Sequence, residues 1–333
     1  MMRSRHIPMC AVLGAILLIH GCSRGSPPPT PAPAPALPSV NLLWESRGSE
    51  NLPLQRVIAI KRATDGKIWV AEGGADREVY TGRFFIFDPA GAFVETWGRT
   101  GEGPGEFIFS RGTTSDGADI LFLPDGSFLV ADSLNARIQR FDKNRHLVRA
   151  WGSGDALPSA PTGLALAANG EVLALFNNRP EIQRFQPDGS FLGMISAGLK
   201  RPMGICVDPF GRIWVSDRNF ASDKLVDGIV RVFDPEGKPL FECGDREGDF
   251  TGLRNPGDLA ADASGRVYLA DNYHHRYVLF SPEGKVLTTI GQRGTGGLGF
   301  NYTNGVAIAE NGDLYLGDWT GGRLLRVSLS GLP

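Results

Sequence analysis

Residues 124–142, PDGSFLVADSLNARIQRFD, contain the clearest indication of the fold in this chain. A tight Pro-Asp-Gly turn precedes an apolar run that ends in Asp132, and a short loop leads to a second run that ends in Phe141. Both runs are short, are bounded by turn residues and lack a helical period. The stretch is therefore predicted to form two antiparallel β-strands.

The same pattern recurs six times along the chain. The glycines of the first turn are spaced by 60, 44, 41, 54 and 47 residues, and they are Gly66, Gly126, Gly170, Gly211, Gly265 and Gly312. The strand after each turn ends in a polar residue at a near-equivalent position, namely Glu72, Asp132, Asn177, Asp217, Asp271 and Asp318. Periods of this length with four short strands are typical of propeller blades. The sequence predicts an all-β, six-bladed β-propeller.

The sixth repeat lacks a fourth strand, because the chain stops shortly after LLRVSLS, residues 324–330. The missing strand is expected at the other end of the chain. NLLWESRG, residues 41–48, places Trp44 in the slot that Trp97 and Trp151 occupy in two other fourth strands. We therefore predict that an N-terminal strand closes the last blade and that the propeller spans residues 40–333.

Several repeats resemble the NHL repeat, in which an acid, an arginine and an aromatic residue follow one another at fixed spacing. The resemblance covers nearly the whole body, from about Val40 to Leu329, and is strong in the second and fifth repeats. The positions that carry the resemblance are Asp132, Asn135, Arg137 and Phe141 in the second repeat and Asp271, Arg276 and Phe280 in the fifth. Repeat three departs from it with Asn177 and Glu181, and repeat four has Ile229 in the position of the arginine. The resemblance implies a propeller of NHL type, a class whose members commonly serve as interaction platforms.

The N-terminus has the features of an exported protein. Residues 1–21 carry Arg3 and Arg5 before an apolar run and end in Gly21, which is typical of a signal peptide. Cys22 follows directly and resembles the acylated cysteine of a bacterial lipobox, so lipid is expected to hold the protein on a membrane. Residues 22–39 are rich in proline and alanine and are predicted to form an extended tether.

Localisation and partners follow from these segments and from the charge. The resemblance to sorted lipoproteins, with Ser23 after the cysteine, implies the outer membrane of a Gram-negative cell. The chain has 34 basic and 36 acidic residues, a formal net charge of −2. Because nucleic-acid binding needs a basic excess, no nucleic-acid partner is expected. A protein, peptide or glycan ligand at the envelope is expected instead.

The two faces of the predicted propeller differ in their connections. Tight turns such as TDGK, PDGS and DPEGK join the first strand to the second and the third to the fourth, so that face is interpreted as structural. The opposite face collects long and varied loops, including residues 72–82, 98–119, 218–228 and 291–305. Since binding residues are concentrated on loops that a rigid scaffold positions, we predict the ligand site on this loop-rich face.

Candidate binding residues on the loop-rich face are the polar strand ends and one histidine, namely Glu72, Asp132, Asn177, Asp217, Asp271, His274 and Asp318. The acids would ring a cation or a basic ligand. Alternatively, each acid accepts hydrogen bonds from its own loop and pairs with the arginine of its repeat, which is Arg83, Arg137, Arg276 or Arg323. Recurrence in most blades favours the second interpretation, because a site needs one or two residues rather than one per blade.

Enzymatic alternatives rest on more distant resemblances. The repeats also resemble peptidyl-hydroxyglycine amidating lyase, whose zinc is held by histidines at the starts of innermost strands. Here those starts read APTGLAL, RPMGICV, NPGDLAA and YTNGVAI and hold no histidine, so that activity is not implied. Propellers of the gluconolactonase type suggest a calcium site built from Glu72, Asn177 and Asp217, since hard cations prefer oxygen ligands.

Neither the remaining histidines nor the cysteines predict catalysis. A zinc site at His274 and His275 is disfavoured, because the second coincides with the repeat consensus and His146 is expected on the opposite face. Cys206 and Cys243 fall on an innermost and an outermost strand, too far apart for a disulfide, and are interpreted as buried thiols. The sequence thus favours a lipid-anchored binding scaffold without catalytic residues, with a metal-dependent, calcium-using lactonase-like hydrolase or lyase as the alternative.

Overall fold

The computed structural model describes residues 38–74, 80–111, 117–152, 159–177, 179–219, 227–245, 247–248 and 250–332. The predicted signal peptide, the lipidation site Cys22 and almost all of the tether lie outside these residues, as do parts of several loops of the loop-rich face. Among the described residues, no helix has the length and apolar character to cross a membrane.

The chain folds into six antiparallel sheets of four main strands each, which we call blades one to six in chain order. In each blade the innermost strand is given first and the outermost last. Blade one consists of Arg56–Arg62, Ile68–Gly73, Phe84–Phe87 and Phe93–Trp97. Blade two consists of Ala118–Phe122, Phe128–Asp132, Arg137–Phe141 and Leu147–Trp151. Blade three consists of Pro161–Leu166, Val172–Phe176, Glu181–Phe185 and Phe191–Ser196.

The second half of the propeller repeats this arrangement. Blade four consists of Pro202–Val207, Ile213–Asn219, Asp227–Phe233 and Pro239–Cys243, with Leu253–Arg254 added beside its third strand. Blade five consists of Pro256–Ala261, Val267–Asp271, Arg276–Phe280 and Val286–Ile290. Blade six consists of Thr303–Ile308, Leu314–Asp318, Arg323–Ser330 and the N-terminal strand Ser39–Ser46. The predicted fold class and strand number are confirmed.

Short elements complete the connections between the strands. Two 3-10 turns follow the second strands of blades two and five and cover Ser133–Asn135 and Asn272–His274. Three two-stranded ribbons lie in the linkers. They pair Gly48–Ser49 with Leu52–Pro53, Tyr80–Thr81 with Ser110–Arg111, and Gln292–Arg293 with Gly299–Phe300.

Closure of the ring follows the prediction with one difference in register. The N-terminal strand pairs with the last strand from Ser39 opposite Ser330 to Ser46 opposite Leu324. Trp44 lies opposite Arg326, whereas Trp151 lies opposite Ile138 at a position two residues nearer the start of its third strand. The prediction that Trp44 shares the slot of Trp97 and Trp151 is therefore wrong by two residues, because the N-terminal strand continues beyond the tryptophan to Ser46.

Trp44 and Trp151 pack on turn glycines of the neighbouring blade. Trp44 packs on Gly91 in the third turn region of blade one, and Trp151 packs in the same way on Gly189 in blade three. Both glycines have positive φ values, 90° and 87°, and a Cβ atom would lie 2.7 and 2.5 Å from the indole rings. Glycine is thus required at both positions by the backbone conformation and by the close contact.

The core consists of six apolar clusters, one at each junction between adjacent blades. Five of them join consecutive blades in chain order, and the sixth packs Val57 and Phe85 of blade one with Tyr315 and Leu324 of blade six. Each fully buried large apolar side chain stabilises the fold by about 1.5–3 kcal/mol. Because blade six packs on blade one, the apolar core is continuous around the ring.

Candidate functional site

The innermost strands surround a central channel that is lined mainly by small residues. Strand pairing places one residue from each blade in an equivalent layer, and this layer consists of Ala59, Asp119, Gly163, Gly204, Asp258 and Gly305. Asp119 and Asp258 belong to blades two and five, which are three blades apart. The channel therefore holds two carboxylates on opposite walls.

Lys61 joins these two carboxylates. Its Nζ lies 3.3 Å from Asp119 and 3.1 Å from Asp258. Each carboxylate also accepts a backbone amide of the following blade, Asp119 from Leu164 at 2.8 Å and Asp258 from Val306 at 3.2 Å. A single ammonium thus connects blade one with blades two and five at the centre of the ring.

Burial and charge set the pKa values in this cluster. Burial alone would lower the pKa of Lys61, but the two carboxylates outweigh it and hold the pKa above its usual value of 10.5. Burial raises the pKa of Asp119 from 3.8 to about 6; Lys61 opposes the rise and Asp258 adds to it. Because burial, with a smaller contribution from Asp258, outweighs the attraction of Lys61, Asp119 holds its proton more tightly than an ordinary aspartic acid.

The Lys61 cluster lies between two cavities of very different size. On the tight-turn side, a cavity of about 310 Å³ is lined by Lys61 together with apolar residues such as Ile120, Cys206 and Ala260. On the loop side, the space between Asp119, Asp258 and Asn304 is only about 30 Å³. The larger axial cavity thus opens on the face that the sequence led us to interpret as structural.

The recurring acids do not project into the channel but bind the linkers that enter their own blades. All five are buried. Their backbone N–H partners, at 2.7 to 3.1 Å, are Gln55 for Glu72, Ile108 for Asp132, Arg201 for Asp217, Arg254 for Asp271 and Asn301 for Asp318. A buried carboxylate that accepts a linker amide fixes the start of each blade.

Each of these acids also pairs with an arginine, as the second interpretation of the sequence proposed. The pairs are Arg83 with Glu72 at 2.5 Å, Arg137 with Asp132 at 2.7 Å, Arg276 with Asp271 at 2.9 Å and Arg323 with Asp318 at 2.8 Å. In blade four, Arg231 pairs with Asp217 at 3.1 Å, although Ile229 occupies the consensus position. Burial raises the pKa of Glu72 and of Asp132, and their arginines and hydrogen bonds oppose the rise.

Blade three is the exception among the strand ends. The backbone N–H of Asn177 donates to Ala160, and its carbonyl accepts from the Ser159 hydroxyl at 2.7 Å. The buried Oδ1 of Asn177 has no hydrogen-bond partner among the described residues. Asn177 thus holds its linker through backbone groups rather than through a carboxylate.

The structure does not bring together the residues considered for a calcium site. Glu72, Asn177 and Asp217 lie in blades one, three and four, and both carboxylates are engaged by arginines. Within the described ranges, no group of three histidine, cysteine, aspartate or glutamate side chains is arranged to hold a metal ion.

The histidines near the loop-rich face are held by separate partners. The Nδ1 atom of His274 lies 2.9 Å from Asp271, and the Nδ1 atom of His275 lies 2.5 Å from the carbonyl of Asn301. His146 lies elsewhere, in the third turn of blade two, beside Asp142. His274 and Asp271 therefore form the one histidine–carboxylate pair that the described part of the loop-rich face contains.

Aromatic side chains form a partly exposed surface on the loop-rich face of blades five and six. Tyr302 stands at its centre, with ring centroids 5.7 Å from Tyr273, 5.0 Å from His275 and 5.9 Å from Trp319. We call these four residues the aromatic ledge. Edge-to-face packing fixes the rings while part of their surface stays accessible to a ligand.

Sequence reasoning missed the channel cluster and the aromatic ledge. Asp119 and Asp258 stand where other blades have glycine or alanine, and Lys61 stands opposite Trp69 in a position that is alanine in three other blades. A charged residue at a position that is small and apolar in the other innermost strands could therefore have indicated this cluster. The ledge had no such signal, because its members follow strand ends in two blades.

The fold and these contacts define an all-β, six-bladed β-propeller. In a comparison with protein families, residues 253–276 match the NHL repeat. This segment covers the end of the linker, the first two strands and the arginine of blade five. A comparison with curated protein sequences gave no match.

Solved structures with a similar fold include lyases. One is a streptogramin B lyase, at 10% identity and a TM-score of 0.55, covering 88% of this chain and 98% of that chain. Another is a catalytically inactive histidine variant of virginiamycin B lyase from Staphylococcus aureus with quinupristin, at 12% identity and a TM-score of 0.56, covering 87% and 99%. At these identities the similarity shows the fold alone.

Proposed function

We propose that the protein is a binding scaffold, held by lipid at the cell envelope, that presents the loop-rich face of its propeller to a protein, peptide or glycan ligand. The observation that carries the proposal is the aromatic ledge around Tyr302. Tyrosine and tryptophan side chains are enriched among the residues that carry most of the binding energy of an interface. The ledge lies on the face where long loops surround the channel mouth.

The bonding of the recurring acids supports a scaffold with one local site. Glu72, Asp132, Asp217, Asp271 and Asp318 are engaged inside their blades. Their role is to fix the linkers, so the ligand is expected to contact the loops that these linkers position. A ring of acids around the channel mouth is not required for this function.

Photo-crosslinking would test which face binds. A benzophenone amino acid would replace Tyr302 in the ledge in one variant and Phe210 in the other. Phe210 is 63% exposed in the first turn of blade four, on the tight-turn face. After irradiation in cells, we expect a crosslinked partner from position 302 and none from position 210. Crosslinks from position 210 alone would place the ligand on the wrong face and overturn the proposal.

The lipid anchor needs a separate test. We expect the full chain to incorporate labelled palmitate and to sediment with the outer-membrane fraction. A Cys22→Ala variant should lose both properties, because it lacks the residue that carries the acyl chains and these chains hold the protein on the membrane. Normal labelling of the variant would exclude Cys22 as the modified residue, and sedimentation with the inner membrane would exclude the proposed location.

A lyase or hydrolase that acts on the same face is a second candidate. His274 favours it, because a carboxylate that orients an imidazole is the usual arrangement for proton transfer. Quinupristin and a simple lactone would be incubated with the protein, with and without calcium, and followed by chromatography. Turnover that His274→Ala abolishes and His146→Ala retains would support this candidate, and calcium dependence would support its metal-dependent form. If neither compound is turned over, the binding scaffold is the candidate that remains.

A further inference from the structure

Arg218 is a buried arginine on the loop-rich side of blade four. It follows Asp217 at the end of the second strand, and only 6% of the residue is exposed. Its Nε donates to the carbonyl of Pro256 at 3.0 Å. Among the described residues, no carboxylate oxygen lies within 4.0 Å of its guanidinium nitrogens. A buried charge of this kind is costly until an anion pairs with it.

The contrast with Arg323 shows what is missing at Arg218. Arg323 is fully buried, and its guanidinium contacts Asp318 at 2.8 Å and Glu45 at 3.0 Å. Around Arg218 the neighbouring charge has the same sign. Burial, together with the positive charge of Arg201, lowers the pKa of Arg218 to about 9, so the side chain is still cationic at neutral pH.

Arg218 lies at the loop-side mouth of the channel. Ser216, two residues earlier on the same face of the strand, donates to the carbonyl of Gly257 at 2.7 Å, and Gly257 lines the narrow end of the channel. Arg218 donates to the carbonyl of Pro256, which is one residue nearer the loop-rich face than Gly257. The guanidinium is therefore one step closer to the loops than the channel wall.

The aromatic ledge begins next to this arginine. Pro256, whose carbonyl accepts from Arg218, pairs with Asp271, and Tyr273 follows two residues after Asp271. From Tyr273 the ledge continues through Tyr302 to Trp319, where the guanidinium of Arg56 lies 5.8 Å from the ring centre. A cationic fork at one end and ring surfaces beside it are complementary to a ligand that has an oxyanion attached to a ring.

We propose that Arg218 is the anion-binding residue of the loop-rich face and that it takes a carboxylate or phosphate group carried by a ring-shaped ligand, such as an acidic sugar, which packs on the aromatic ledge. The planar guanidinium binds either oxyanion through two parallel hydrogen bonds, whereas a point charge does not. This proposal rests on the proposed function, because it names the ligand class of the same face.

Titration of the purified full chain with three sugars tests the proposal. The probes are glucuronate, glucose 6-phosphate and glucose, so that the two acidic probes distinguish a carboxylate from a phosphate. We expect at least one acid to bind about tenfold more tightly than glucose. Arg218→Gln should abolish this preference and Arg218→Lys should weaken it. Arg149→Gln, which removes an exposed charge from the outermost strand of blade two, should leave it intact.

Equal binding of the three sugars, binding of none, or an acid preference that survives Arg218→Gln would overturn the proposal. The denaturation midpoint of the same variants gives a second reading. Because Arg218 has no carboxylate partner among the described residues, Arg218→Gln should leave the midpoint unchanged or raise it. A clear fall would show that Arg218 serves the fold instead. Crosslinking at position 302 is measured independently, so a scaffold with a different ligand class remains distinguishable from no scaffold.

Discussion

The ammonium of Lys61 in blade one lies 3.1 Å from a carboxylate oxygen of Asp258 in blade five, which is not a neighbouring blade. The contact crosses the channel, and Asp119 of blade two joins it from the opposite wall. Adjacent blades pack on each other through apolar clusters. The Lys61 cluster is therefore a connection between distant blades that is added to the packing of the ring.

Lys61→Met should destabilise the propeller strongly. The substitution leaves two carboxylates facing each other in the channel without a counter-charge, and breaking such a buried pair costs about 3–5 kcal/mol. The free energy of unfolding at neutral pH, from urea denaturation, checks this. Adding Asp119→Asn to Lys61→Met should restore part of the loss.

Lys67→Met is the matched control. Lys67 pairs with Asp65 at 2.6 Å on the exposed first turn of the same blade. Exposed pairs contribute about 0–1 kcal/mol, so this variant should be nearly as stable as the wild type. Equal losses for the two lysine variants would contradict a special role for the channel cluster.

Stability should fall with rising pH through the titration of Asp119. Its pKa is raised by burial from 3.8 to about 6, so the folded state binds this proton more tightly than the unfolded state. The stabilising contribution is fully present below 3.8 and is lost as the pH rises through about 6. Asp119→Asn should remove it while still accepting the amide of Leu164. As the pH rises across this interval, the unfolding free energy of the wild type should therefore fall relative to that of the variant.

Asp125→Asn is the control, because the pKa of Asp125 is shifted in the opposite direction to that of Asp119. Hydrogen bonds from Ser127 lower the pKa of Asp125 below 3.8, so its contribution is present above that value and is lost as the pH falls. Between pH 3.8 and about 6 the difference between this variant and the wild type should stay constant. A constant difference for Asp119→Asn as well would contradict the raised pKa.

The repeat and its closure could be predicted from the sequence because both depend on local patterns. Turn glycines and alternating strands recur in every blade, and the absence of a fourth strand in blade six pointed to the N-terminus, where Ser39–Ser46 indeed pairs with the last strand. The exact register could not be derived in this way. Trp44 was aligned by residue type, but the length of the strand beyond it decides which residue it faces.

The site was harder to predict because it depends on contacts between blades. Lys61 and Asp258 are far apart in the sequence, and no single repeat shows that their side chains meet. Arg231 replaces the consensus arginine from two residues further along the strand, which only the pairing with Asp217 shows. Arg218 was overlooked for the same reason, since its burial arises from the neighbouring blade at Pro256.

Arg323→Gln should weaken the closure of the ring. Arg323 connects Asp318 of its own blade with Glu45 of the N-terminal strand, and its loss would leave the buried carboxylate of Asp318 without a cation. A loss of about 3–5 kcal/mol is expected in urea denaturation. Limited proteolysis should also cut the N-terminal strand faster.

Arg140→Gln tests the same charge change where the partner is exposed. Arg140 lies 3.7 Å from Asp125, whose side chain is mostly in solvent. Its loss should cost about 0–1 kcal/mol and should not affect cleavage near Glu45. If Arg323→Gln behaved like Arg140→Gln, the closure would have to depend on backbone pairing alone.

Cys206 and Cys243 should resist alkylation in the native protein and should not form a disulfide. Both are free thiols in the apolar cluster between blades four and five. Burial raises the pKa of Cys243 to about 12 and that of Cys206 further, so almost no reactive thiolate is present at neutral pH. Iodoacetamide labelling, followed by peptide mass spectrometry, should modify either residue only after denaturation. A cysteine introduced on the exposed outermost strand of blade two, Ala150→Cys, should react at once and shows that the reagent is active. A Cys206–Cys243 linked peptide from a non-reducing digest would contradict the assignment, because it would require the two strands to leave their positions in the blade.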